Sequence, residues 1–106
     1  TLILKRIELV TLPDELGMLK ALKRLDVSEN LLEVLPASIG DCALLEDLDV
    51  SENRIHTIDP AIGNLKNLWR FILFKNQLST LPEEIGNCTA LREVNFFNNK
   101  LIRIPA

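Results

Sequence analysis

The sequence has 106 residues, of which 47% are hydrophobic and 25% are charged, a length and a balance that fit one globular domain. Twelve basic against fifteen acidic residues give a formal net charge of -3, which argues against a nucleic-acid-binding protein because phosphate contacts need a basic surface. No apolar run reaches the roughly 18 residues of a membrane span, and the single histidine leaves little room for histidine-based catalysis or a zinc site.

Three residue types recur along the chain at one fixed interval, the distance from Leu22 to Leu45. Such a period is typical of a solenoid, in which each unit stacks on the one before it. It predicts a single domain over 1–106, with full units at 22–44, 45–67 and 68–90 and partial units at 1–21 and 91–106. The three series are Leu22, Leu45, Leu68 and Leu91; Asn30, Asn53, Asn76 and Asn99; and Gly17, Gly40, Gly63 and Gly86.

Each unit predicts a short strand followed by a tight return. Leu25 and Val27 alternate with polar Asp26 and Ser28, which is the period of a half-buried strand. Because one unit cannot bury its apolar face alone, the units must stack and their strands must form a parallel sheet. In the return we expect proline to preset φ, glycine to supply a positive φ, and Pro-Glu-Glu at 82–84 to open a short helical turn.

The asparagine series predicts a structural column. The backbone turns inward after each strand and leaves polar groups that the sheet cannot satisfy. A buried amide side chain offers donors and an acceptor at once, so it can join adjacent turns. Ile7 replaces this asparagine in the first unit, and Asp59-Pro60 moves the proline of the third unit by one residue. We expect the second change to alter the local turn and to leave the sheet intact.

The two cysteines are predicted to be buried free thiols. Cys42 and Cys88 stand where other units carry leucine, and they lie two units apart. Stacked strands would separate them by about 9–10 Å, beyond the roughly 7 Å that a disulfide can bridge. Unpaired thiols fit a reducing compartment. Asn87-Cys88-Thr89 matches the glycosylation acceptor pattern, a three-residue match that often arises by chance.

The chain is predicted to be a fragment of a longer array. It opens on apolar Leu2, Ile3 and Leu4 and stops in mid-unit at Ile104-Pro105-Ala106, whereas terminal repeats normally carry a polar cap.

The unit pattern resembles the leucine-rich repeat family. Leu22, Leu25, Val27 and Asn30 carry Leu-x-x-Leu-x-Leu-x-x-Asn, and residues 32–40 carry Leu-x-x-Leu-Pro-x-x-Ile-Gly. The 23-residue variant is similar to the intracellular repeats of Ras-scaffold proteins, of Scribble and Erbin, and of plant Ras-group repeat proteins, and similar units occur in some bacterial and protist proteins. The resemblance implies an α/β solenoid: an arc with a short-stranded parallel sheet on the concave face and turns or short helices on the convex face. It also implies cytoplasmic signalling, with a small GTPase or a signalling assembly as partner.

The strand positions between the buried leucines are expected to face the concave side. They are acidic in the early strands and aromatic in the later ones, and exposed aromatic residues in one patch usually mark an interaction surface. Other interpretations stay open: rim packing by Trp69, a stabilising cross-strand pair of Phe74 and Phe97, a plain solvated acidic face, and ion pairs between Asp47 and Arg70 or between Lys23 and Glu46. The predicted partner-binding residues are Trp69, Ile72, Phe74, Phe97, Arg70, Asp26, Asp47 and Asp49.

No catalytic motif stands out in the sequence, and His56 is expected to be a surface turn residue. The leading hypothesis is a non-catalytic protein–protein interaction module, a scaffold or adaptor without a cofactor or a metal. Two alternatives are a targeting domain of a larger signalling enzyme and an extracellular or pathogen-derived recognition protein.

Overall fold

The structure, a computed structural model, describes residues 1–100 of the chain. The predicted mid-unit stop at Ile104-Pro105-Ala106 and the rest of residues 101–106, the end of the last partial unit, lie outside the described residues.

Five short parallel strands, one from each unit, form a single sheet. They are β1 (Leu2–Ile3), β2 (Arg24–Asp26), β4 (Asp47–Asp49), β6 (Arg70–Ile72) and β7 (Glu93–Asn95), in the spatial order β1-β2-β4-β6-β7. Leu25 lies opposite Leu48, and Leu48 lies opposite Phe71, so neighbouring strands pair residues that are one repeat period apart in sequence. The predicted parallel sheet of a repeat solenoid is confirmed.

The chain returns over the opposite side of each unit. Strands β3 (Val34–Leu35) and β5 (Thr57–Ile58) pair there in a second, two-stranded parallel sheet that the sequence did not predict. The predicted short helical turns on the convex side are confirmed as 3-10 helices of five residues each. They span Asp14–Met18, Ala37–Asp41, Pro60–Asn64 and Glu83–Asn87.

The interior is filled by apolar columns from both sides of the solenoid. Leu25, in β2, and Val27, directly after β2, are fully buried. Asp26 between them is only partly buried, as the predicted alternation requires. Ile39 and Ile62 of the 3-10 helices close the core from the convex side and are also fully buried. Each such side chain contributes roughly 1.5–3 kcal/mol through burial, so the stacking of units rests mainly on these columns.

The buried asparagine side chains hydrogen-bond consecutive units together. Asn53 accepts a hydrogen bond through Oδ1 from the backbone N–H of Leu32 at 3.0 Å. Its Nδ2 donates to the carbonyl oxygens of Val27, Val50 and Ser51 at 2.9–3.1 Å, so one amide joins two units. The predicted structural column is confirmed, and the same arrangement recurs at Asn30, Asn76 and Asn99.

The glycines serve a different purpose from the predicted one. None of the four has a positive φ, so the expectation that glycine supplies a left-handed turn is wrong. A Cβ on Gly40 would lie 2.5 Å from the carbonyl oxygen of Ala61 and 2.8 Å from its Cβ. A Cβ on Gly17 or Gly63 would meet the next unit at about the same range, 2.8–3.0 Å. Glycine is required there because consecutive 3-10 helices approach each other closely.

Non-glycine residues carry the left-handed backbone conformation. They follow the strands of the large sheet, one in each unit, and have φ values of 54–58°. This region of φ is sparsely populated by residues that have a Cβ, so the tight turn at the end of each strand must be held by the packing and hydrogen bonds of the stack. These five residues are Arg6, Glu29, Glu52, Lys75 and Asn98, and a sixth, Glu8, lies two residues after Arg6 with a φ of 59°.

The displaced proline of the third unit changes the cap of a 3-10 helix and not its position. Pro60–Asn64 lies one full repeat after Ala37–Asp41, so the two helices are equivalent. The carboxylate of Asp59 accepts a hydrogen bond from the N–H of Ala61 at 2.9 Å, whereas the other three 3-10 helices have a proline at the cap and no side-chain cap bond. Because the sheet register is unaltered, the prediction of a purely local change is confirmed.

Replacing Asn53 by alanine should lower the free energy of unfolding by about 3 kcal/mol, because one N–H and three carbonyl groups lose a buried partner. Urea denaturation followed by circular dichroism measures the change. Asn67→Ala, at an exposed position, is the matched control and should cost less than about 0.5 kcal/mol. Equal effects of the two substitutions would contradict the structural role of the column.

Gly40→Ala should destabilise the protein by about 3 kcal/mol, because the added methyl group overlaps backbone and Cβ atoms of Ala61 that cannot move aside. Gly86→Ala makes the same chemical change at an equivalent position where a Cβ would have no described atom within 4 Å. Thermal unfolding of both variants measures the loss of stability. A similar loss at Gly40 and Gly86 would show that backbone conformation, and not close approach between units, explains the repeated glycines.

Candidate partner-binding face

The side of the five-stranded sheet that faces away from the core is the candidate site, and it is called the concave face below. Its residues occupy positions 24, 26 and 28 of the second unit and the equivalent positions of the other units. Position 23 and its equivalents, which include Trp69 and Arg92, directly precede the strands and border this face. Positions 24 and 26 lie within β2, and position 28 lies two residues after its end. The side chains therefore form rows across the sheet, because the strands are parallel and in register.

Two aspartates of the concave face each accept hydrogen bonds from the serine two residues later in the chain. Asp26 accepts hydrogen bonds through Oδ1 from the N–H of Ser28 at 3.0 Å and from its hydroxyl at 2.7 Å. Asp49 and Ser51 repeat this arrangement at the same distances. Both serines are buried, although they occupy positions that the sequence predicts on the concave side. The spacing Asp-x-Ser, repeated in two consecutive units, was the sequence signal for this clamp.

The clamp is absent from the fourth unit, where apolar residues replace it. Ile72 stands in the aspartate position and Phe74 in the serine position. The expectation that Ile72 is accessible is wrong, because only 5% of it is exposed. It is buried, yet it lies outside the interior core cluster. Ile72 therefore underlies the face and does not present a surface to a partner.

Large apolar side chains are exposed at the later strands, at a concave position for Phe97 and directly before β6 for Trp69. Phe97 is 76% exposed and Trp69 is 42% exposed, while Phe74 is half-buried. The backbone N–H of Lys75 donates to the carbonyl oxygen of Phe97, which places Phe74 and Phe97 on adjacent turns. Trp69, Phe74 and Phe97 are called the aromatic patch below.

A row of alternating charges crosses the concave face beside the aromatic patch. Arg70 donates from Nη1 to Oδ1 of Asp47 at 3.1 Å and from Nε to the carboxylate of Glu93. Arg24 adds a longer ion pair to Asp47, with Nε 3.7 Å from Oδ2. Burial lowers the pKa of Arg70, but the hydrogen bonds to Glu93 and Asp47 outweigh it and raise that pKa overall, so the guanidinium stays charged. The charges of Asp47 and Arg70 are thus already paired with each other within the chain.

The two ion pairs that the sequence suggested on this face have different outcomes. The pair between Asp47 and Arg70 is confirmed. Lys23 and Glu46 form no ion pair in the part of the chain that the structure describes. Other charged residues pair further along the strands, where Glu29 binds Lys5 at 3.3 Å and Arg6 at 2.6 Å. The hydrogen bond from Arg6 lowers the pKa of Glu29.

Both cysteine thiols are buried and hydrogen-bonded to backbone carbonyl oxygens. The thiol of Cys42 donates to the carbonyl oxygen of Leu16 at 3.4 Å, and that of Cys88 donates to the carbonyl oxygen of Ile62 at 3.1 Å. Burial raises the pKa of both thiols, which disfavours the reactive thiolate. The prediction of buried, unpaired cysteines is confirmed.

Other candidates for chemistry are sparse. His56 is exposed, as predicted, with Nδ1 2.9 Å from the hydroxyl of Thr57. Residues 1–100 contain no cluster of three histidine, cysteine or acidic side chains that could hold a metal ion. Nor does any helix in this range have the length and hydrophobicity needed to cross a bilayer.

Comparison with known proteins places the chain among repeat solenoids. A family described as "Leucine rich repeat" matches residues 1–55. A leucine-rich repeat protein of Leptospira interrogans is 37% identical with a TM-score of 0.85, and the match covers 87% of the present chain. The BIR3–SERK2 complex from Arabidopsis thaliana contains a chain that is 30% identical, with a TM-score of 0.84 and 97% coverage. An internalin of Listeria monocytogenes, 21% identical with a TM-score of 0.76 over 86% of the chain, shares the fold.

The present chain is short beside these structures. It spans 24% of the Leptospira chain, 26% of the Listeria chain and 58% of the Arabidopsis chain. No curated protein sequence matches it.

Arg70→Met should lower the free energy of unfolding by about 1 kcal/mol, because Asp47 and Glu93 lose the guanidinium between them. The difference should shrink in about 1 M NaCl, since the groups are partly exposed and salt screens them. Arg92→Met, at the border of the same face in an exposed position without a described ion pair, is the control and should have almost no effect. Urea denaturation at low and high salt tests this, and a salt-independent loss would point to packing instead of charge.

Proposed function

Because the chain belongs to the leucine-rich repeat family, we propose that it is a protein–protein interaction module that binds a partner protein on its concave face. Proteins of this architecture stack units into an extended surface, and binding partners use that surface. The BIR3–SERK2 structure, a complex of two proteins, supports the same kind of role for the present chain. The activity we propose is binding without a catalytic step.

The observation that carries the proposal is the aromatic patch. Phe97 exposes 76% and Trp69 exposes 42% of its surface, whereas the positions equivalent to theirs in the first three units hold charged or small polar residues. Leaving such side chains in water is unfavourable, and aromatic residues dominate the binding energy of protein interfaces. Phe74, half-buried next to them, extends the apolar surface.

The size of the face bears on the affinity. Five strands at about 4.8 Å spacing, with five to six residues along each strand, give an area on the order of 400 Å². This is about half of the roughly 800 Å² that each partner contributes to a standard interface. The described units alone should therefore bind weakly, and further repeats or the edges of the solenoid would strengthen the complex.

The resemblance of the repeat to Ras-scaffold, Scribble and Erbin repeats supports a scaffold or adaptor in cytoplasmic signalling. On that basis the partner would be a small GTPase or a signalling assembly. The two free thiols fit a reducing compartment, which agrees with this placement.

Trp69→Ala combined with Phe97→Ala should weaken partner binding at least about tenfold, because truncation of interface aromatics typically costs roughly 1–2 kcal/mol or more each. The full chain and the variant are used as baits in cell lysate, retained proteins are identified by mass spectrometry, and the purified partner is then titrated against both. Met18→Ala, which truncates a side chain that is 74% exposed on a convex 3-10 helix, is the matched control. Unchanged binding by a folded aromatic variant would refute the concave site.

A further inference from the structure

We propose that the concave face binds a protein segment that carries one lysine or arginine and one large apolar side chain, separated by about 12 Å on the strand spacings of the sheet. This inference rests on the proposed function, because it specifies the partner of the same face. The apolar side chain would contact the aromatic patch, and the cation would lie between Asp26 and Asp49.

Asp26 and Asp49 are the negative charges at positions 24, 26 and 28 and their equivalents that pair with no cation of the described residues, and Glu46, directly before β4, also lacks such a partner. Asp26 and Asp49 lie directly opposite each other in the register of β2 and β4, where neighbouring strands are about 4.8 Å apart. Each commits one carboxylate oxygen to its serine clamp, and neither forms an ion pair within residues 1–100. Two like charges directly opposite each other are unfavourable, so a cation from a partner would stabilise both.

No cation of the described chain takes that place. Arg24, the nearest along the strand, pairs with Asp47, and Arg70 is held between Asp47 and Glu93. Lys5 binds Glu29 at 3.3 Å. Lys23 lies three residues before Asp26, about 10 Å along the strand. The charges of the concave face are thus neutralised in the row of Asp47 and left uncompensated in the row of Asp26.

The apolar half begins on the next strand. Asp49 lies opposite Ile72, the buried residue beneath the face. Phe74 follows Ile72 by two residues, and Phe97 follows Asn95, the residue opposite Ile72 on β7, by two residues. On this side the face therefore changes from acidic to apolar within one strand spacing, and on the other side Asp26 lies opposite the exposed Ile3 of β1. A partner that satisfies both halves must combine a positive charge with a hydrophobic anchor.

The spacing of the two halves follows from sheet geometry. The midpoint of Asp26 and Asp49 lies two strand spacings, about 9.6 Å, from the midpoint of Phe74 and Phe97, and two residues, about 6.6 Å, along the strand. The separation is therefore about 12 Å. An extended segment reaches it between residues i and i+4, and a helix reaches it between residues i and i+7.

The probe for this inference is a displayed library of random dodecapeptides, selected on the full chain. Enriched peptides that bind in an extended conformation should contain lysine or arginine four positions from a large apolar residue. Those that bind as a helix should contain the two residues seven positions apart. A selected peptide and its Lys→Gln or Arg→Gln variant are then titrated against three proteins: the wild type, Asp26→Asn with Asp49→Asn, and Trp69→Ala with Phe97→Ala. The asparagine variant keeps the amide oxygen for the clamp, as Asn95 does when it accepts from the N–H of Phe97 at 3.1 Å.

Removing either the peptide cation or the two aspartate charges should weaken binding about two- to fivefold, and removing both should weaken it no further. Binding to the wild type should also fall with added salt, and binding to the asparagine variant should not. Enrichment of apolar peptides without a cation, or equal binding to the wild type and the asparagine variant, would overturn the inference and leave the proposed function standing. If no selected peptide loses affinity for the alanine variant, the proposed function fails as well.

Discussion

The structure depends on the hydrogen bonds that the repeated asparagine makes with the unit before it. The inward turn after each strand would otherwise leave an N–H and several carbonyl groups unpaired in an apolar interior. Asn53 satisfies four such groups, and they belong to two units. This requirement fixes the distance between units and keeps the strands in register. The close contact at Gly40 and the left-handed residues after the strands, such as Glu29, are consequences of the same spacing.

The fixed spacing leaves different amounts of freedom on the two sides of the sheet. Interior positions must be apolar and of suitable size, because each contacts the equivalent residue of the next unit. The concave positions carry no such requirement, and the fourth unit departs from its neighbours there, with Ile72 and Phe74 in place of Asp49 and Ser51. The departure does not disturb the sheet, since β6 keeps its register with both neighbours. Chemistry that varies without structural need is where specificity for a partner can reside.

Pairing between strands decides which charges of this face a partner can use. Asp47 and Asp49 are two residues apart on one strand, yet Asp47 is bound by two arginines and Asp49 has no ion pair among the described residues. The difference arises because the repeat period brings Arg24 and Arg70 beside Asp47. A binding surface inferred from composition alone would count both aspartates equally.

The sequence by itself determined the repeat, the strand in each unit, the asparagine column and the free cysteines, because these depend on short patterns that recur from unit to unit. It also located Phe74 and Phe97, since they lie at positions that the strand period places outward. Trp69 has the same parity as the buried Phe71, so its exposure does not follow from that period. The sequence did not reveal that Ile72 is covered, that Arg70 bridges two carboxylates, or that glycine is needed for close approach and not for its φ. Only the tertiary structure decided these points, because each depends on atoms contributed by a neighbouring unit, a full repeat away in the chain.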